Sequence, residues 1–296
     1  MKLLLPLVAL CLISACAGKP VVPSAASPST TVGDSEIGPI IDAHMHTDFD
    51  GKPEQTSGIK VDEATLLKQM KEAGIVGGIV HTQRDGSGYV DLSKHQIWDC
   101  AGVDKKVDVA RVEAGLKSGK YRCIKVYLGY VYQFAYDPGY KPAYDLARKY
   151  KVPVVFHTGD TYGHKGKVKF SDPMGIDEIA VEYPDVNFVI AHLGNPWINT
   201  AAEIAYNKPN VYVDLSALMI GDLSKEDPAT VETYVTGPIR WAYGYIEDPK
   251  KMMFGTDWPL TLQKPYIDAV KRAIPKEHWH AVFYENAKRV FKLPIP

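Results

Sequence analysis

The chain has 296 residues, 46 % hydrophobic and 23 % charged, with a formal net charge of −1. That is enough chain for one large core or two modest domains of a folded protein. Lysines and arginines are spread along the sequence rather than gathered in one stripe, which argues against a nucleic-acid partner.

The first segment reads as an export signal. Lys2 gives a positive start, and Leu3 to Ile13 is an almost unbroken apolar run, too short for a membrane-spanning helix, which needs roughly 20 residues. Ile13-Ser14-Ala15-Cys16 resembles a bacterial lipoprotein signal. Residues 1–15 would then be removed and Cys16 would carry the lipid. Ala17, in place of an aspartate, implies the outer membrane, on its periplasmic side or at the cell surface. Ordinary secretion or a periplasmic location is the alternative. Residues 16–36, rich in Pro, Ser, Thr and Ala, fit a flexible tether, so the expected membrane contact is only through that anchor. Of four cysteines, Cys100 and Cys123 remain after the signal, in a compartment where disulfides form. A pair and two separate thiols both stay open.

From residue 37 short apolar runs alternate with amphipathic ones. Strands are expected at Pro39–His46, Ile75–His81, Val107–Val112, Cys123–Leu128, Val152–His157, Val186–His192, Asn210–Leu215 and Lys251–Gly255. Leu66, Leu67, Met70 and Ala73 share one face of a helix from Asp62 that stops at Gly74, and Gly77 and Gly78 permit close approach in the second strand. Leu92–Cys100 reads as a helix of uncertain limits, and Glu113–Ser118 as another. The loop after the fourth strand holds Tyr130, Tyr132, Phe134, Tyr136 and Tyr140, as a pocket wall or as rings packed on one another. Helices follow at Lys141–Tyr150 and Gly175–Tyr183, with a glycine- and lysine-rich loop, 158–173, between them. Eight mostly apolar strands alternating with helices argue for a parallel sheet buried on both faces. The count favours a single α/β domain, a (β/α)8 TIM barrel over 37–296. No Gly-x-Gly-x-x-Gly follows the first strand, which weakens a dinucleotide-binding fold.

In such a barrel the chemistry sits at the carboxyl ends of the strands. His44 and His46 end the first strand, and two-residue spacing puts both imidazoles on one side. His157 ends the fifth, His192 the sixth, and Asp257 follows the eighth. Imidazole and carboxylate at one rim are a ligand set for a divalent metal. Weaker rim candidates are His81, Asp214, Trp258, Phe49, Arg84 and Lys165.

The segments Ile41-Asp42-Ala43-His44-Met45-His46, Phe156-His157-Thr158-Gly159, Ala191-His192-Leu193-Gly194 and Gly255-Thr256-Asp257-Trp258-Pro259 resemble the amidohydrolase superfamily, in its amidohydrolase-related (amidohydrolase 2) branch. That resemblance implies one Zn²⁺ or similar ion on His44, His46 and His157, with Asp257 at or near the fourth position. It implies a metal-dependent hydrolase of a small ester, lactone or amide, with Asp257 as general base on metal-activated water and His192 polarising the substrate or holding the water. The alternative in the same branch is non-oxidative decarboxylation of a small aromatic or unsaturated acid. Lys125, inside the fourth strand, is either carboxylated between two ions or an unmodified lysine that binds a substrate carboxylate or a neighbouring acid. A binding lipoprotein on a retired barrel would lack ligands, and none is missing. Homodimers are common in such barrels.

Overall fold

The computed structural model describes residues 37–295. Eight parallel strands run in chain order around one sheet: β1 Ile40–Met45, β2 Ile75–His81, β3 Ile97–Val103, β4 Tyr121–Tyr127, β5 Val154–His157, β6 Phe188–Ile190, β7 Val211–Asp214 and β8 Met252–Met253. The ring closes just beyond the short β8. Ala43 N–H donates to the Phe254 carbonyl at 3.0 Å, His46 N–H to Trp258 at 2.7 Å, and Asp257 N–H to His44 at 2.7 Å. This is the expected (β/α)8 barrel.

Helices cover the outside: α1 Glu63–Ala73, α2 Val109–Ser118, α3 Lys141–Tyr150, α4 Met174–Glu182, α5 Ile198–Asn207, α6 Pro228–Val231, α7 Gly237–Ile246, α8 Gln263–Ala273 and α9 Asn286–Val290. The first follows the sequence closely. Asp62 caps it by accepting from Thr65 N–H, Gly74 ends it in the left-handed conformation, and Leu66 and Met70 are its buried residues. Two hydrophobic clusters result. The larger lies between helices and strands. The smaller fills the barrel with Ile41, Ala43, Ile79, Cys100, Cys123, Val155, Val189 and Met253, joined by Phe291, Leu293 and Ile295 of the C-terminal segment. A methyl at Gly77, near the start of β2, would strike Ile295, so this segment packs where the strands begin, at the end away from the site.

The third strand is not where the sequence reading put it. Val107–Val112 lies mostly in α2, whose N-cap Asp108 accepts from Arg111 N–H and whose buried face is Val112, Gly115 and Leu116. The strand is Ile97–Val103, fully buried, in the stretch expected to begin as a helix. Its Cys100 lies opposite Cys123 in the β3–β4 register, and the two form a disulfide with Cα atoms 4.3 Å apart.

The expected signal (1–15), the lipid-bearing Cys16 and the tether to residue 36 lie outside the described residues. The membrane expectation is corrected: no helix among the described residues is long and apolar enough to cross a bilayer.

Candidate metal centre

A one-residue irregularity aims the first ligands. Between Asp42 and Met45 the β1–β2 register slips, three steps on β1 matching two on β2. Before the bulge Ile41 and Ala43 face the barrel interior. After it Met45 packs in the outer cluster, and His44 and His46 take the inward side. Bulges commonly re-aim side chains beside active sites. A methyl at Gly78 would collide with the Asp42 carbonyl and the Met45 side chain, so the bulge requires glycine there.

His46 Nε2 lies 3.2 Å and His44 Nε2 3.6 Å from Asp257 Oδ1. That oxygen is buried and receives no well-formed hydrogen bond. These three residues bring their ligand atoms within 4.8 Å of one another, and so do His44, His192 and Asp214. The two groups are not equivalent. Asp214 is already engaged: Oδ2 takes His44 Nδ1 at 2.9 Å, and Oδ1 takes the N–H of His192 at 3.0 Å and the hydroxyl of Ser216 at 2.5 Å. It therefore holds the His44 proton on Nδ1 and frees Nε2 as a ligand, the usual task of a carboxylate behind a metal-bound imidazole.

The remaining histidines carry a complementary signal. His157 Nε2 faces the Asp160 carbonyl at 2.9 Å, and His192 Nδ1 faces the Ser216 carbonyl at 3.3 Å and its hydroxyl at 2.9 Å. A carbonyl only accepts, so both of those nitrogens carry hydrogen. What remains are the lone pairs of His157 Nδ1 and His192 Nε2, facing each other at 3.2 Å. Two acceptors at that distance need a proton or a cation nearby. Together with the unsatisfied Asp257 oxygen, this donor set fits a divalent metal.

The electrostatics agree. Burial, reinforced by Lys125, holds His44 and His81 well below the usual histidine range. His157 is lowered by burial and by its neighbour His192, and His192 by burial, partly offset by Asp257 and Asp214. Neutral imidazole is the ligating form. Burial alone would raise the Asp257 carboxyl, but the His46 ring and the fields of His44 and His192 outweigh it and hold the group far below the carboxylate range. Lys125 is 1 % exposed. Burial brings its ammonium down to about 8 against the pull of Asp214 and Asp257, and its Nζ lies 3.3 Å from His44 Nε2. His192 and Asp257 both adopt the left-handed conformation, φ 57° and 63°, which for residues other than glycine concentrates at functional sites.

Over this cluster lies a cavity of about 460 Å³, whose lining includes His46, Lys125, His157, His192 and Asp257. Of the weaker candidates, Arg84 lines it and Asp214 stands behind the ligands. His81 is buried against His44, ring centres 4.2 Å apart, with neither ring nitrogen hydrogen-bonded. Trp258 points away and donates to Gln69 at 2.8 Å, Phe49 packs on it edge-to-face, and the Lys165 carbonyl accepts from Tyr132. Sequence reasoning did not single out Ser216 or Tyr162. Ser216 follows Asp214 at two-residue spacing, a readable signal for the same inward side. Tyr130, whose ring centre is 4.7 Å from that of His157, belongs to the aromatic loop and supports its reading as a pocket wall.

Residues 61–293 match the amidohydrolase family. The chain belongs to that family. The His-x-His pair of β1 precedes the matched span, while Asp214, His192 and Asp257 lie within it, and the ligand geometry and the family match together make this a metal-dependent enzyme of the amidohydrolase type. The family match brings no membrane, signal or lipoprotein feature, and the expectation of those is corrected accordingly. No curated protein sequence matches the chain. Among solved structures it resembles an amidohydrolase of Burkholderia multivorans (16 % identity, TM-score 0.65, covering 87 % of this chain and 100 % of that one). It also resembles a 5-carboxyvanillate decarboxylase of Novosphingobium aromaticivorans (13 %, 0.63, 90 % and 100 %), and a probable 2-pyrone-4,6-dicarboxylic acid hydrolase of Acinetobacter baumannii (14 %, 0.62, 86 % and 99 %). At these identities the likeness is one of fold.

Proposed function

We propose that this amidohydrolase acts on a small aromatic or unsaturated carboxylic acid and removes its carboxyl group as CO2. The observation that carries the reading is Lys125. Its buried ammonium borders the cavity, and among the described residues no carboxylate lies within ion-pair distance of it. An unpaired buried cation is costly, and an anionic substrate group would supply the missing partner. Tyr127, Tyr130 and Tyr162 line the same cavity and suit a flat ring. Two of the similar structures are named for ring carboxylic acids, which supports the substrate class.

In this reading His44, His46 and Asp257 hold the ion, with His157 as the further ligand, and the depressed Asp257 carboxyl suits a ligand better than a base. When bound, the metal supplies positive charge for an oxygen of the substrate and acidifies water. Lys125 binds and orients the carboxylate. His192, its Nδ1–H held by the Ser216 carbonyl, takes up a proton from solvent water at its free Nε2 lone pair. As the bond from ring carbon to carboxyl breaks, its electron pair stays on that carbon and takes the His192 proton, and CO2 departs. Hydrolysis of a lactone, ester or amide is the second reading. It uses the same residues, with Asp257 or His192 Nε2 taking a proton from water.

The test is product analysis with metal-loaded protein and a panel of hydroxybenzoic and unsaturated acids beside lactones. CO2 equal to the acid consumed supports decarboxylation, and ring-opened product retaining every carbon overturns it in favour of hydrolysis. We further infer that residues 37–296 form one barrel domain working in an oxidising compartment, periplasmic or secreted, where the Cys100–Cys123 disulfide persists.

A further inference from the structure

The two loops richest in tyrosine and lysine are stitched together over the cavity. Tyr162 N–H donates to Tyr130 Oη at 2.7 Å, Tyr132 Oη donates to the Lys165 carbonyl at 2.5 Å, and Lys167 N–H donates to Gly129 at 2.9 Å. From that platform Tyr162 extends its side chain, half exposed, and its hydroxyl donates to Glu54 Oε1 at 3.2 Å. Glu54 lies in the loop after β1 and Tyr162 in the loop after β5. In a ring of eight strands in sequential order those loops face each other across the mouth. The hydrogen bond therefore runs over the opening rather than along its edge.

Both anchors are fixed. Glu54 Oε2 accepts the N–H groups of Thr56 at 2.7 Å and Ser57 at 2.6 Å, and Ser57 donates to the Pro259 carbonyl at 2.7 Å, which ties this loop to the segment carrying Asp257. At the other end Gly159 N–H donates to Ser171 at 2.8 Å and Asp160 N–H to Asn195 at 2.8 Å. Gly163, beside Tyr162, has φ +90° with open space around it, a backbone setting that favours glycine.

We propose that Tyr162 and Glu54 form a strap across the mouth that sets the size of what enters, admitting a single-ring acid and rejecting a fused two-ring one. The size limit rests on the carboxylic-acid reading above; the strap itself does not. A cavity of about 460 Å³ is at the small end of ligand pockets, and the strap divides its opening.

The experiment compares wild type, Tyr162→Phe, Glu54→Ala and the double variant in two ways. First, metal-free protein is labelled with diethyl pyrocarbonate, and the rates at His46 and His157 are read by mass spectrometry. Each single variant is expected to label about fivefold faster, the worth of one ordinary hydrogen bond, and the double no faster than the singles, because one contact is lost in all three. Unchanged rates, or effects that multiply, overturn the strap. Tyr162→Phe guards against a Glu54→Ala loop that simply unravels. Second, calorimetry measures benzoate and 2-naphthoate binding to metal-loaded protein. The strap predicts that the variants gain about fivefold in affinity for naphthoate relative to benzoate, and an unchanged ratio overturns the size limit. If neither acid binds any form, the carboxylic-acid reading and its size limit fail together, while the labelling still decides the strap.

Discussion

Asp214 shows how much of this site depends on one residue that need not touch the ion. It accepts from the His44 ring, the His192 backbone and the Ser216 hydroxyl, fixing one ligand's tautomer and, through Ser216, the orientation of a second imidazole. Replacing it by asparagine keeps the volume but removes the charge that holds the proton on His44 Nδ1. Zinc affinity is then expected to fall about 10- to 100-fold, the usual cost of losing such a partner, as measured by competition with a chromogenic chelator. Zinc binding as tight as wild type would show that His44 needs no such support. His44, His46, His157, His192 and Asp257 were legible in the sequence because each lies at the end of an apolar run, and a parallel barrel brings those ends to one rim. The facing lone pairs of His157 and His192 were not legible. They depend on which carbonyl each ring meets, and the Asp160 and Ser216 carbonyls reach those positions only through backbone turns that spacing does not encode.

At the scale of elements, the barrel survived a misplaced strand. Val107-Asp108-Val109 alternates like a strand, but Asp108 is a helix cap and Val112 and Leu116 are spaced for a helix face, so the capping chemistry outweighs the local alternation. The true β3 carries Trp98 and Cys100 inward and Asp99 outward. The β1 bulge was equally hidden, since it arises from pairing with Gly78 rather than from β1 itself. The Cys100–Cys123 bridge joins these questions, because it ties β3 to β4 two residues before Lys125. It closes a loop with a sequence separation of 23, and a loop of that length is worth about 3 kcal/mol through its restriction of the unfolded chain. Cys100→Ala with Cys123→Ala is therefore expected to lower the unfolding free energy by about that amount, with a further loss from the small cavity left in the barrel. Denaturant titration of oxidised and reduced wild type beside the double variant checks it. If reduction leaves the midpoint unchanged, the bridge does not contribute.

For the whole molecule, the closed barrel gathers residues from five strands, β1, β2, β4, β5 and β7, and from the turns after β6 and β8 into one buried cluster. That cluster concentrates unsatisfied polar atoms that call for an explanation: among the described residues, Asp257 Oδ1 and both nitrogens of His81 make no hydrogen bond, and Lys125 has no carboxylate at ion-pair distance. A barrel with this interior is stabilised by what it binds. Adding zinc to metal-free protein is expected to raise the melting temperature, by the equivalent of about 2.7 kcal/mol at a free concentration 100 times the dissociation constant. The stoichiometry decides the role of Lys125. If the lysine is unmodified, titration ends at one ion per chain, and Lys125→Met still binds one while losing affinity for benzoate. If it is carboxylated and bridges, wild type takes two ions, added bicarbonate strengthens the second, and Lys125→Met drops to one. The geometry favours the first outcome. Lys125 Nζ sits 3.3 Å from His44 Nε2, the nitrogen that Asp214 leaves without a proton, so an unmodified ammonium already has an acceptor to donate to. In the proposed reading, a substrate carboxylate would take over from His44 as the partner of this ammonium.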